Sequence, residues 1–349
     1  MSPFITENYK TFYFEERELT ETTETTETTE TTETTETIKG LEDVPGLGPV
    51  TAQKLRIAGY NTLESLALAP SRELVDTAGL TAEKAISLSL KAREILQIKF
   101  QTAEELLIQR KEITRLTTGS KNLDGILGGG VESRAILELI GEFGVGKTQI
   151  CLTLCVTVQF PPERGGLGGR VLYIDAEGTF RPERIVEISR NQGVDPVDIL
   201  KNIIVARAFN SDHQMLIGEK TDELVKTENL KLIIVDSIIS HFRAEYIGRG
   251  TLASRQQKLN RHLHRLLRTA EIHNIPVVVT NQVVASPAMF FGPSTKPAGG
   301  HIIAHLSTNR VFIRKSKKTR RIAKIIDSSY LPEAECVFII SDKGIEDVS

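Results

Sequence analysis

Residues 141 to 148 read Gly-Glu-Phe-Gly-Val-Gly-Lys-Thr and follow the apolar run Ala135-Ile136-Leu137-Glu138-Leu139-Ile140. Gly-x-x-x-x-Gly-Lys-Thr between a strand and a helix is a phosphate loop, and it demands an element of each kind on its two sides. Its glycines let successive backbone N–H groups turn inward toward phosphate oxygens, and the helix that follows adds its positive dipole end. Gly141, Glu142, Phe143, Gly144, Val145, Gly146, Lys147, Thr148 and Gln149 are therefore the candidate nucleotide contacts. Lys147 is expected to reach the β- and γ-phosphates of ATP, and the Thr148 hydroxyl to bind Mg²⁺.

The chain has 349 residues, enough for one large domain and a smaller one. Tryptophan is absent and aromatics are scarce, so the core must be mainly aliphatic. No apolar run has the length of a membrane span and the first residues lack a signal-peptide pattern, so a soluble cytoplasmic protein is expected. Residues 1–37 hold ten acids and two bases, a charge of −8, which leaves +6 for the rest against the overall −2. That balance permits an anionic polymer as partner without requiring one. Three cysteines, Cys151, Cys155 and Cys336, are too few for a disulfide framework or a zinc site and read as small buried hydrophobes.

From Thr20 to Thr37 a Thr-Thr-Glu repeat has a period that fits neither helix nor strand, so 1–37 reads as a disordered acidic tail. Residues 38–95 read as a small helical unit. There Val44-Pro45-Gly46-Leu47-Gly48-Pro49 leads into a helix in the manner of a helix-hairpin-helix. Its glycine turn exposes N–H groups that suit DNA phosphate, and a purely structural turn fits the same pattern. Residues 96–115 form a linker. From 116 to 349 strands and helices alternate, which implies a mostly parallel sheet flanked by helices. Strands are expected at 135–140, 170–175, 231–236 and 275–281. An antiparallel extension is expected near 308–314, 321–326 and 335–340.

Two of those strands end in carboxylates. Leu232-Ile233-Ile234-Val235-Asp236 delivers Asp236 to a Mg²⁺ shell at the sheet's C-terminal edge. Val171 to Asp175 is followed by Glu177, placed to orient and activate a water attacking the γ-phosphate. Gln282, at the end of a third strand, is placed to sense that phosphate. The candidate catalytic set is Lys147, Glu177 and Gln282. After Gln282 comes a stretch to His301 with three prolines and Gly292, Gly299 and Gly300, long enough to be a functional loop.

With Tyr173 to Arg184, Ala208 to Gln214, Tyr246 to Gly250 and Leu331 to Glu335 added to these motifs, the chain resembles the archaeal members of the RecA-like DNA strand-exchange family from about Gly40 to Asp347. The resemblance implies an α/β RecA-like ATPase core with an N-terminal helix-hairpin-helix domain. It implies an ATP-dependent recombinase that forms filaments or rings and acts on single- and double-stranded DNA, helped by recombination mediators. Phe100 and Ala103 look like the polymerisation motif, carried on a flexible linker. Arg243, Arg249 and Arg255, in the segment from Phe242 to Arg255, match the first DNA-binding loop, and the stretch after Gln282 the second. Arg184 falls where the family packs a guanidinium near adenine, and His305 matches a histidine that reaches the γ-phosphate across the interface. Asp327 to Glu333, with Pro332, resembles a cap over the neighbour's ATP, where Asp327 and Glu333 meet a monovalent cation or Ca²⁺. Val145 stands where the family often has a small polar residue. The eight bases between Arg310 and Lys324 suit either duplex held by a hairpin or a sheet edge blunted by lysine. An accessory paralogue and a ring-forming motor are the rival readings.

Overall fold

The computed structural model describes residues 41–96, 101–248, 250–285, 295–317 and 319–348, with backbone only at 285 and 295. The acidic tail, Phe100 and Arg249 lie outside the described residues.

The N-terminal unit is helical: α1 (Pro49–Ile57), α2 (Leu63–Leu68), α3 (Ser71–Ala78) and α4 (Ala82–Leu96). Proline opens α1 where its missing N–H costs nothing, with Gly46 at a φ of 86° in the turn before it. Leu55, Tyr60, Leu66, Leu74 and Ala85 close a core belonging to this unit alone. The stretch expected as a flexible linker holds α5 (Ala103–Arg110), whose first residue is Ala103. Thr102 and Glu105 form a reciprocal capping box that sets its start. None of its residues is buried.

Next come β1 (Arg115–Leu116), α6 (Lys121–Ile126), β2 (Val131–Glu132), β3 (Ile136–Ile140), α7 (Lys147–Thr157), β4 (Arg170–Asp175), α8 (Pro182–Asn191), α9 (Pro196–Lys201) and β5 (Ile203–Arg207). They are followed by α10 (Ser211–Glu219), α11 (Thr221–Glu228), β6 (Leu230–Asp236), α12 (Ser240–Glu245), α13 (Leu252–His273), β7 (Val277–Asn281), β8 (Val283–Ala285) and β9 (Thr295–Pro297). The chain closes with α14 (His301–Leu306), β10 (Asn309–Lys315), β11 (Arg320–Ser328), β12 (Glu335–Ser341) and β13 (Gly344–Asp347).

Nine strands form one sheet in the order β13-β12-β11-β10-β3-β7-β6-β4-β5. From β5 to β10 neighbours run parallel; from β10 to β13 they run antiparallel, as the strand-after-strand sequence implied. Buried on both faces, β3, β6 and β7 are near-continuous Ile, Leu and Val, the pattern of a covered parallel sheet. Separate aliphatic clusters fill the two faces. Because β3, β4, β6 and β7 are parallel, their C-terminal ends meet at one edge, where ligands of open α/β sheets bind.

Two expectations need correction. Strand β5 is not among the predicted strands, although Ile203-Ile204-Val205-Ala206 is an apolar run; it is the outer strand of the sheet and half exposed. The basic stretch 310–324 is not a sheet edge, because β12 and β13 lie outside it. Nor are all its bases free for duplex. Arg310 is buried against Glu138, Arg321 turns onto the phosphate loop, and Arg314 and Lys324 pair with Glu335 and Glu333. Lys318 lies outside the described residues.

Candidate nucleotide site and nucleic-acid surface

At that edge opens a cavity of about 470 Å³ lined by Phe143, Gly144, Gly146, Lys147, Thr148, Gln149, Glu177, Thr179, Asp236, Ser237, Thr280, Gln282, Thr319, Arg321 and Ile340. The loop that forms its floor depends on glycine. A Cβ on Gly141 would sit 2.4 Å from the Ile313 carbonyl oxygen. Gly146, at a φ of 109°, would drive one to 2.4 Å from Ile340 Cδ1. Val145 is buried, and its carbonyl accepts from Arg321 Nε at 2.9 Å. Glu142 and Phe143 are exposed at the mouth.

Lys147 Nζ donates to the carbonyls of Gly141 and Glu142 at 2.7 and 2.8 Å. Burial pulls its pKa below the ordinary lysine range, with Asp236 and Glu177 opposing that shift. Thr148 Oγ1 donates to Asp236 Oδ2 at 2.7 Å. Tyr173 Oη reaches the same oxygen at 2.7 Å, and Thr280 Oγ1 donates to Asp236 Oδ1 at 2.5 Å. Asp236 is thus fixed by hydroxyls from α7, β4 and β7. Two hard oxygen donors, Thr148 Oγ1 and an Asp236 carboxylate oxygen, face the cavity, a set that fits Mg²⁺. Among the described residues no cluster of three or more His, Cys, Asp or Glu could hold a metal by protein ligands alone.

Opposite, Glu177 Oε1 accepts from Ser237 Oγ and from Gln282 Nε2, both at 2.9 Å. The loop carrying Glu177 is shaped by Asp175, whose carboxylate accepts the N–H groups of Gly178, Thr179 and Phe180. The structure therefore brings Lys147, Thr148, Gln149, Glu177, Asp236 and Gln282 to one cavity. Sequence reasoning missed Ser237, Thr280 and Arg321 there, and Tyr173, which holds Asp236 from behind the lining. Only the position of Ser237, directly after Asp236, was a usable signal.

Other candidates fall elsewhere. Arg184 binds Gln149 Oε1 through Nε at 2.8 Å and the Ser341 carbonyl through Nη2, fastening α8 beside the cavity. His305 stacks on His301 at 6.0 Å between ring centroids, outside the cavity lining. Asp327 faces Arg310 at 3.7 Å and Glu333 faces Lys324 at 2.9 Å, so each is paired with a cation; Pro332 stands beside Glu333. Arg243 is exposed on α12. Arg255, in the first turn of α13, is half buried and its Nε has no hydrogen-bond partner. Ala103 is exposed on α5. Cys151 and Cys155, both on α7, are buried and free, and burial pushes both thiols well up. Among the described residues no helix is long and apolar enough to cross a membrane.

Comparison with known proteins covers nearly all the described chain. The profile of the Rad51 family matches residues 109–348, and that of the SAM-like helix-hairpin-helix tandem matches 38–94. A curated relative from Aeropyrum pernix, named DNA repair and recombination protein RadA, is 51% identical over 313 residues, covering 89% of this chain and 97% of the relative. One of the same name from Metallosphaera sedula is 51% identical over 311 residues, covering 89% of this chain and 96% of the relative.

Proposed function

The chain belongs to the Rad51 family, DNA-dependent ATPases that exchange DNA strands in recombinational repair, and from that premise we propose how its residues divide the work. ATP binds in the cavity above β3, β4, β6 and β7. The observation that carries this reading is the convergence of Glu177, Gln282 and Asp236 on the cavity closed by Lys147 and Thr148. Main-chain N–H groups of 141–148 cradle the phosphates. Lys147 exchanges the carbonyls of Gly141 and Glu142 for phosphate oxygens. Thr148 and Asp236 hold Mg²⁺, which supplies charge neutralisation on the phosphate oxygens. Glu177, steadied by Ser237, orients the attacking water and takes its proton. Gln282 links that carboxylate to the segment beyond β7.

Arg184 and Gln149 border the adenine. His305, Pro332, Asp327 and Glu333 serve the nucleotide of an adjacent protomer, the two carboxylates exchanging their lysine and arginine partners for a monovalent cation or Ca²⁺ at the cap. Phe100 and Ala103 dock on that neighbour, with the exposed edge of β5 open to strand addition. Arg243, Arg249 and Arg255 grip single-stranded DNA through phosphate, and homologous duplex is the second substrate. The division into a helical unit at 38–95, a linker at 96–115 and a core at 116–349 is part of the same reading, supported by the separate core of α1 to α4.

Glu177→Gln tests the central assignment. It should bind a fluorescent ATP analogue as tightly as the unchanged chain and hydrolyse ATP about 100-fold more slowly or worse. Hydrolysis at the unchanged rate would remove Glu177 from the reaction.

A further inference from the structure

Under the tip of β7 lies a buried polar network that is not part of the nucleotide cavity. Glu138 interrupts the otherwise apolar β3 and is wholly buried. Arg310 stands directly opposite it in the parallel register with β10 and donates Nε to Glu138 Oε2 at 2.6 Å. Arg310 Nη1 in turn faces Asp327, its register partner on β11, at 3.7 Å. On the other side Asn281 Nδ2 donates to Glu138 Oε1 at 2.6 Å and to the Ala298 carbonyl at 2.8 Å. The path Asp327–Arg310–Glu138–Asn281 thus crosses four neighbouring strands, β11, β10, β3 and β7, in sheet order.

Its far end grips the base of the β8–β9 ribbon. Ala298 N–H donates to the Gln282 carbonyl at 2.8 Å, and Gly141 N–H, the first of the phosphate loop, donates to the Asn281 carbonyl at 3.3 Å. Asn281 therefore joins the phosphate loop, the Gln282 tip and the returning ribbon. A buried ion pair is seldom the stabler choice over packed apolar side chains, so stability alone is weak grounds for a carboxylate at the centre of an aliphatic strand. Burial raises the Glu138 pKa, and Arg310, then Asn281 and Ser307, oppose the rise. Asn281 Oδ1, buried without a hydrogen-bond partner, marks a second polar expense at the same spot.

We propose that Asn281, Glu138 and Arg310 are positioning residues that couple Gln282 in the nucleotide cavity to the base of the β8–β9 ribbon, so that single-stranded DNA engaged beyond the ribbon accelerates hydrolysis. This rests on the reading of Gln282 and of the following segment given above. Asn281 does not line the nucleotide cavity; its side chain ties the base of the ribbon to Glu138.

The test is ATP hydrolysis by Asn281→Ala with and without oligo(dT), beside the unchanged chain. The variant should lose at least about fivefold of the DNA stimulation while its DNA-free rate changes by less than about twofold. Asn281→Ser, which stays polar but withdraws the amide donor from both Glu138 and Ala298, should behave alike and serves if the alanine variant does not fold. Hydrogen exchange of the unchanged chain gives an independent reading: a slowly hydrolysed ATP analogue with Mg²⁺ should slow exchange at the Ala298 amide. Retained stimulation, proportional loss of both rates, or Ala298 exchange indifferent to nucleotide would each overturn the proposal. An unchanged chain that does not hydrolyse ATP at all would instead overturn the reading of the nucleotide site.

Discussion

Asp236 shows how much of the proposed nucleotide site is set by single hydrogen bonds. Its carboxylate is buried at the end of β6, where burial without partners would be costly, and hydroxyls of Thr148, Tyr173 and Thr280 satisfy it. Tyr173 is the one of the three that does not line the cavity. Removing its hydroxyl in Tyr173→Phe should therefore cost about 2 kcal/mol in urea unfolding, the range for a hydrogen bond to a charged group. It should also raise the Mg²⁺ concentration needed for half-maximal hydrolysis; an unchanged Mg²⁺ requirement would show that Asp236 keeps its orientation without Tyr173. At this scale the meeting of Lys147, Thr148, Asp236, Glu177 and Gln282 at one cavity was legible in the sequence, because each sits at a fixed offset from a strand end or a glycine. Tyr173, Thr280 and Arg321 were not, because their roles arise only from strand register and from a hairpin distant in sequence.

Helix α13 carries the most consequential element-scale feature outside the sheet. Its 22 residues cover one sheet face with Leu259, Leu263, Leu266 and Ala270, and with them bury His262. Burial alone lowers the His262 pKa from 6.5 to about 4, since charging the ring there forfeits its hydration. A base whose folded pKa is depressed takes up its proton in the unfolded chain first. The unfolded state then binds more protons between pH 6.5 and about 4, and stability falls as pH drops through that window, by roughly 3 kcal/mol in all. His262→Gln, neutral throughout, should flatten that part of a urea-unfolding pH profile; an unaltered profile would place the acid sensitivity elsewhere.

The same scale shows what patterns hide. Strands β3, β6 and β7 announced themselves as apolar runs, and β10 to β12 as strand after strand. Helix α5 was concealed within a linker, although Thr102 and Glu105 spell its capping box. The basic hairpin read as one charged surface, whereas folding spends Arg310 on Glu138 and Arg321 on Val145. Charge counted along a chain cannot tell a solvent-facing base from one recruited inward.

For the whole molecule, the sheet leaves β5 as an outer strand on the parallel side, while α5 stands exposed after the N-terminal unit. That arrangement is suited to repeated head-to-tail contact between copies, which closes into a ring or continues as a helix. Phe100→Glu places a charge where the proposed contact needs an apolar anchor. It should reduce assemblies on single-stranded DNA to short oligomers in sedimentation and electron micrographs; full-length filaments would exclude Phe100 from the contact. The N-terminal unit leans on α13 through Glu73–Arg268 and Asp76–Arg261, at 3.9 and 3.8 Å. Pairs this long contribute little, and salt screens what they do contribute.

The most direct measurement is strand exchange between a fluorescently labelled single strand and duplex DNA, for the unchanged chain and for Lys147→Ala, with and without Mg²⁺-ATP. The unchanged chain should exchange strands only with homologous duplex and only when nucleotide is present, and Lys147→Ala should not exchange them at all. Exchange by Lys147→Ala equal to that of the unchanged chain, or exchange that proceeds without nucleotide, would contradict an engine seated in the phosphate loop.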